Sequence, residues 1–182
     1  MIDEVISSLN LKPGYVVLDA TIGGGSHARE MLKAITPGGR LIGLDADESA
    51  IKIASENLKE FDGSFKLINE NFRNLDRALS KENIKSLNAI LLDIGVSSFQ
   101  LDDKERGFSI KENARLDMRM DKGLKLSAFE IINKYKEADL SDIRYRYGEE
   151  RFARKIARHI ADERSKKPIE TTGQLFFLSH PG

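Results

Sequence analysis

The sequence predicts an α/β protein: an open parallel sheet covered by helices, continued by a helical segment. Three observations carry this. Strand patterns alternate with helical periods through the first hundred residues. A glycine-rich turn, Gly23-Gly24-Gly25, separates a strand from the helix that follows it. No convincing strand pattern occurs after Asp93, where only helical periods remain.

Each element follows from its own residues. Tyr15–Ala20 (YVVLDA) is apolar and β-branched behind the turn signal Pro13-Gly14, and reads as the first strand. Ser26–Ile35 reads as a helix that stops at Thr36-Pro37-Gly38-Gly39. Arg40–Asp45 is the second strand. Glu48–Glu60 is a helix with Ile51, Ala54 and Leu58 on one face. Phe65–Asn69 is the third strand, and Leu75–Lys81 a further helix. Leu87–Asp93 (LNAILLD) is the fourth strand; its continuous apolar run is expected where both faces are covered. Gly95–Asp121 is rich in charge and turns. Ser127–Lys134, Leu140–Tyr147 and Glu149–Arg164 then read as helices, the last with Phe152, Ile156 and Ile160 repeating every four residues. A boundary near Gln100 gives two domains, 1–100 and 101–182.

Composition narrows the function classes. A chain of 182 residues suits one domain or one and a half. Cysteine is absent, which removes disulfides and thiolate metal sites and fits a reducing cytosol. No apolar run approaches the roughly 20 residues that span a bilayer, and the acidic N-terminus lacks the blocks of a signal peptide. A cytoplasmic protein without a membrane partner is expected. Net charge is zero, but residues 1–100 hold 11 Lys/Arg against 14 Asp/Glu and the rest 18 against 15. That split permits a nucleic-acid partner for the second half without requiring one.

The glycine turn is the first candidate site. Gly23–Ala28 fits the dinucleotide pattern G-x-G-x-x-[GA], and Asp45 follows Gly25 by 20 residues, where a ribose-binding acid belongs. A tight turn needing positive φ would give the same glycines. The order strand, glycines, helix, strand, acid favours a bound adenosine-type ligand. Asp19 ends the first strand, and Asp93 ends the fourth, which lies beside the first at the point where strand order reverses. Carboxylates there repel a pyrophosphate but suit an ammonium or a sulfonium. S-adenosylmethionine carries both, with a ribose diol for Asp45. Singly, each acid could be a solvated strand end.

Residues 90–121, ILLDIGVSSFQLDDKERGFSIKENARLDMRMD, form a distinctive string. With DATIGGGSH (19–27) and YGEERFARKIARHI (147–160), it resembles the RsmH (MraW) family over about residues 16–172. The resemblance implies a Rossmann-like class I methyltransferase sheet, whose first four strands run in the order 3-2-1-4, with an inserted helical domain. It implies S-adenosylmethionine as cofactor and methylation of the N4 amine of a cytidine in 16S ribosomal RNA of the small subunit. Carried over position by position, Gly25, Ser26 and His27 line the methionine end of the cofactor. Asp45 is the ribose acid, Phe72 lies beside the adenine, and Asp93 and Gln100 close the cleft after strand four. The stretch DEVISSLNL looks like the family's helix before strand one.

Three departures stand out. Ser26 replaces a glycine and is expected to cap the next helix. Phe99 replaces a proline, which loosens the backbone before Gln100. Asn113-Ala114-Arg115 replaces Asp-Gly-Pro. The later strands and the Ser-Phe-His-Ser-Leu-Glu-Asp motif of the family are absent, so the chain is read as a truncated product or fragment. Strand four is then an apolar edge that invites self-association.

No single catalytic residue is assigned. Methyl transfer is an in-line displacement that needs the acceptor nitrogen placed and water excluded, and an acceptor for the amine's hydrogen is sought in Asp93–Ser97. For RNA, the last helix offers Arg151, Arg154, Lys155, Arg158 and Arg164. A solvated face with pairs such as Glu150–Arg154 is nearly as good a reading. Met118 and Met120 read as core filler. With His27, His159 and His180 scattered, no metal site is expected. A non-catalytic cofactor- or RNA-binding remnant and an NAD-dependent oxidoreductase are the alternatives; Asp19 argues against the second.

Overall fold

The computed structural model describes residues 2–179, apart from the side chain of Ser98. The chain divides into two compact units between residues 97 and 98. His180 lies outside the described residues. No helix among the described residues is long and apolar enough to cross a membrane.

The first unit opens with α1 (Ile2–Leu9) and continues as β1 (Val16–Asp19), α2 (Ser26–Ile35), β2 (Arg40–Asp45), α3 (Glu48–Asn57), β3 (Phe65–Asn69), α4 (Leu75–Lys81) and β4 (Ala89–Leu91). The strands pair in parallel, as expected from the alternation of elements, in the order β3-β2-β1-β4 that the family resemblance implies. Helix α2 buries Ala28, Met31, Leu32 and Ile35, the i, i+3, i+4, i+7 stripe of an amphipathic helix. They pack with Val17 and Leu41 on one side of the sheet, while Leu18, Ile42, Leu44 and Ala78 form a second cluster. The central strands are therefore buried nearly throughout.

Besides β1, which is one residue shorter at each end than the expected Tyr15–Ala20, two elements differ from expectation. β4 is three residues long rather than seven, with Val17 opposite Ala89 and Asp19 opposite Leu91. β1 itself ends at Asp19, so pairing stops there. As an edge strand, β4 buries Leu91 but leaves Ile90 46% exposed, so its apolar run is not covered on both faces. The helix expected to reach Glu60 ends at Asn57, and a 3₁₀ turn occupies Lys59–Phe61.

The second unit holds α5 (Ser98–Asp102), α6 (Ala128–Lys134), α7 (Glu137–Gly148), α8 (Ala153–Lys166) and α9 (Thr172–Ser179). Its core joins Leu116, Ile132, Leu140, Ile156, Ala157, Ile160 and Ile169. As expected, no strand forms here among the described residues; Arg115 and Thr171 make an isolated bridge. Helices α5 and α9 were not legible in the sequence. The backbone at Phe99 is helical rather than loosened, and its carbonyl accepts from the amide of Asp103. The last long helix starts four residues later than expected. Glu149 ends α7 at φ 50°, and the carboxylate of Glu150 accepts the Phe152 amide at 2.8 Å. Phe152 is thereby left 62% exposed instead of joining Ile156 and Ile160 in the core.

Asn113-Ala114-Arg115 has a structural task. The Asn113 Oδ1 accepts from the Gly173 amide at 3.0 Å, and the amide and carbonyl of Ala114 bond to Oγ1 and the amide of Thr172. Met118 and Met120 are 46% and 39% exposed, so they do not fill the core. Arg106 holds that loop by donating to the carbonyls of Arg119 and Met120.

Candidate functional site

The glycine turn is built by its neighbours. After Asp19 the chain leaves the sheet, and the amide of Ile22 donates to the carbonyl of Leu44 in β2. Ile22 thereby lies against Gly43; a Cβ at Gly43 would sit 2.2 Å from Ile22 Cδ1. Gly25 then turns the chain into α2 at φ 85°, a left-handed value that glycine adopts without strain. Gly25, not Ser26, is the N-cap of α2, and no side chain caps that helix. Ser26 is its exposed first residue and His27, half-buried, its second. The expected capping role of Ser26 is thus replaced by the turn of Gly25.

Asp45 is tied into this turn. Its Oδ2 accepts from the Gly23 amide and its Oδ1 from the Asp47 amide, both at 2.9 Å. Each oxygen retains a second lone pair for a ligand hydroxyl. Burial raises its pKa, and those two amides oppose the rise. Its carbonyl accepts from Asn69 Nδ2 and from the Glu70 amide, which fixes the chain entering the turn at Phe72. Phe72 is 37% exposed.

Asp19 differs from the open strand-end acid that the sequence suggests. It is 1% exposed. Its Oδ1 accepts from the Thr21 amide at 3.2 Å. Burial pushes its carboxyl up to about 7; the Thr21 amide opposes this, and the charges of Asp45 and Asp93 add to it. Asp45, at the end of β2, and Asp93, exposed two residues beyond β4, thus both act on the buried Asp19. Like charges beside a buried carboxyl favour a cation or a proton on it.

Thr21 and Asn57 were missed in the sequence. The hydroxyl of Thr21 accepts from the Asp93 amide at 2.8 Å, so one threonine braces both the β1 and the β4 exits. Asn57 Nδ2 donates to the Gly24 carbonyl at 2.9 Å. Neither leaves a periodic or spacing signal; both act through one side-chain bond set by tertiary packing. Gly25, Ser26, His27, Asp45, Phe72 and Asp93 belong to the first unit. Gln100 is buried within the second, on α5.

The chain matches the model of the MraW methylase family over residues 1–178. It is 48% identical over 175 residues to a protein named ribosomal RNA small subunit methyltransferase H from Clostridium botulinum (strain 657 / Type Ba4). The like-named proteins of Lachnospira eligens and Clostridioides difficile are 45% and 43% identical over 175 residues. In each case 96% of this chain is covered, and the chain spans 56% of the length of the relative.

Proposed function

Because the chain belongs to the MraW methylase family, we propose that it takes part in methylating small-subunit ribosomal RNA with S-adenosylmethionine as methyl donor. The finer reading is the N4 amine of a cytidine in 16S RNA, in the cytoplasm. The observation that carries the choice of donor is the set of acids around the glycine turn, in which Asp45 and Asp93 press on the buried Asp19; the RNA acceptor rests on the family. A donor bearing an ammonium and a sulfonium fits three carboxyls; a pyrophosphate does not.

In this reading Gly25, Ser26 and His27 hold the methionine end of the donor. Asp45 receives the ribose diol on its free lone pairs, Phe72 flanks the adenine, and Asp93 borders the same site from the β4 exit. When bound, S-adenosylmethionine supplies an electrophilic methyl group: the acceptor nitrogen gives its electron pair to carbon, the carbon–sulfur bond breaks, and the nitrogen loses a proton. The chain's own contribution is to position and to exclude water. An exocyclic amine is a weak nucleophile, and carbonyls or side chains in Asp93–Ser97 are the groups to accept its hydrogen. The base must leave its stack to be reached.

The test is calorimetric titration with S-adenosylmethionine and with NADH, followed by transfer of labelled methyl to small ribosomal subunits. Binding of the first alone, with label on RNA, supports the reading. Binding of NADH instead overturns it. Donor binding without transfer would leave a non-catalytic binding protein. The β4 edge, with Ile90 and Leu92 46% and 43% exposed, supports pairing of two copies along it. Light scattering that gives a monomer at every concentration would exclude this.

A further inference from the structure

We propose that the groove between α7 and α8 binds a single-stranded segment of RNA, with Tyr145 and Phe152 stacking on bases and Arg151, Arg154 and Lys155 meeting phosphates. The groove is open, about 1010 Å³, and lies wholly within the second unit. The proposal rests on the methyltransferase reading of the first unit only for the choice of RNA as the polymer.

Four observations converge on it. First, Tyr145 and Phe152 line the groove and are 67% and 62% exposed. Phe152 has the spacing of a core residue, yet the left-handed Glu149 and the Glu150 carboxylate delay α8 and hold it outside. A large apolar ring held in solvent beside a groove marks an interaction surface. Second, the cations are free to act. No ion-pair or hydrogen-bond partner occurs among the described residues for the side chains of Arg151, Arg154 and Lys155. The expected Glu150–Arg154 pair does not form, because Glu150 is turned to the Phe152 amide.

Third, the acids of the groove are already engaged. Asp142 pairs with Arg146 at 2.7 Å and Glu137 faces Arg158 at 3.9 Å. The groove therefore presents net positive charge. Fourth, the first turn of α8, Ala153–Lys155, lines the same groove and adds the partial positive charge of a helix N-terminus. Arginine, lysine and exposed rings along one groove are the recognition chemistry of single strands: rings stack on any base and cations follow the backbone. A bilayer would require a continuous apolar face, but that of α8, Ile156 and Ile160, is buried. A duplex hides its base faces and would leave the rings unused.

The test measures binding of the full chain to a labelled single-stranded RNA of about twelve nucleotides, to its duplex, and to acidic phospholipid vesicles. Tyr145→Ala with Phe152→Ala should weaken single-strand binding by roughly 30-fold or more and leave its salt slope unchanged, and Phe152→Trp should retain affinity. Arg151→Ala, Arg154→Ala and Lys155→Ala together should lower the salt slope by about 2. All these residues are exposed, and unchanged thermal melting verifies the fold. Equal loss for duplex and single strand, no effect of the ring variants, tighter binding to vesicles, or no RNA binding by the parent chain would each overturn the proposal. S-adenosylmethionine titration of the same variants separates the two readings. Retained donor binding with lost RNA binding is expected, whereas absent donor binding with intact RNA binding would sink only the reading of the first unit.

Discussion

The amide of Gly23 donates to Oδ2 of Asp45 at 2.9 Å, so the glycine turn after β1 and the acid that ends β2 hold one another. The acid shapes the turn before any ligand arrives. Its second oxygen does the same for the Asp47 amide, which opens α3.

Asp45→Ala should therefore cost stability as well as ligand affinity. Two partly buried amides lose a charged acceptor, which is worth about 1–3 kcal/mol. Asp45→Asn keeps one acceptor and should fall between. Thermal melting with and without S-adenosylmethionine checks this. An Asp45→Ala chain as stable as the parent, and equally stabilised by the donor, would show that the bond does not organise the turn.

Gly43 and Gly25 should respond differently to alanine. At Gly25 the neighbours are at ordinary distance, Leu58 Cγ at 3.4 Å, so the penalty is the left-handed backbone, about 1–2 kcal/mol. At Gly43 the added Cβ meets Ile22 Cδ1 at 2.2 Å and Leu67 Cδ2 at 2.8 Å. Gly43→Ala should displace Ile22 and with it the turn. Shortening Ile22 to Ala in that background should recover part of the donor affinity, read by calorimetry, whereas Gly25→Ala should gain nothing from it.

Asp19 gives a pH signature. Its carboxyl is raised from 3.8 to about 7 in the fold, chiefly by burial. The fold then holds a proton that the unfolded chain has released, so this group's contribution to stability falls as pH rises from about 4 to about 7 and is level beyond. Asp19→Asn should remove that slope and melt higher than the parent above pH 7. A cationic donor favours the ionised carboxyl, so its affinity should rise with pH through the same window in the parent and not in the variant. Flat donor affinity from about pH 5 to 8 would count against a role for Asp19 charge.

Arg164 and Arg154 lie on one helix but should behave oppositely. Arg164 donates to the carbonyl of Ile132 at 2.6 Å and to that of Tyr135, closing the end of α6. Arg164→Ala should cost about 1–3 kcal/mol in thermal or urea unfolding. Arg154→Ala should leave the melt unchanged and weaken RNA binding instead.

Much of this molecule was legible from residue order. The bounds of α2, β2, β3 and α4 match their expected ranges, because each has an apolar period with turn residues at its ends. Parallel pairing follows from the alternation of strands and helices, and the order β3-β2-β1-β4 is the one that the family resemblance implies. Less was legible where one side chain decides a boundary. Asp47 caps α3 through the Ser49 amide, whereas Glu149 and Glu150 delay α8 and expose Phe152.

By itself the sequence determined the alternating sheet, the glycine turn, the acids at the strand ends and the likeness to a methylase family, since periodicity and motif spacing are local properties of the chain. Only the tertiary structure decided that Asp19 is buried and held near neutrality, that Thr21 braces two strand exits, and that Arg164 serves α6 while Arg154 stays free. These depend on which distant groups desolvate or hydrogen-bond a side chain, and pairings of that kind leave no period in the sequence to read.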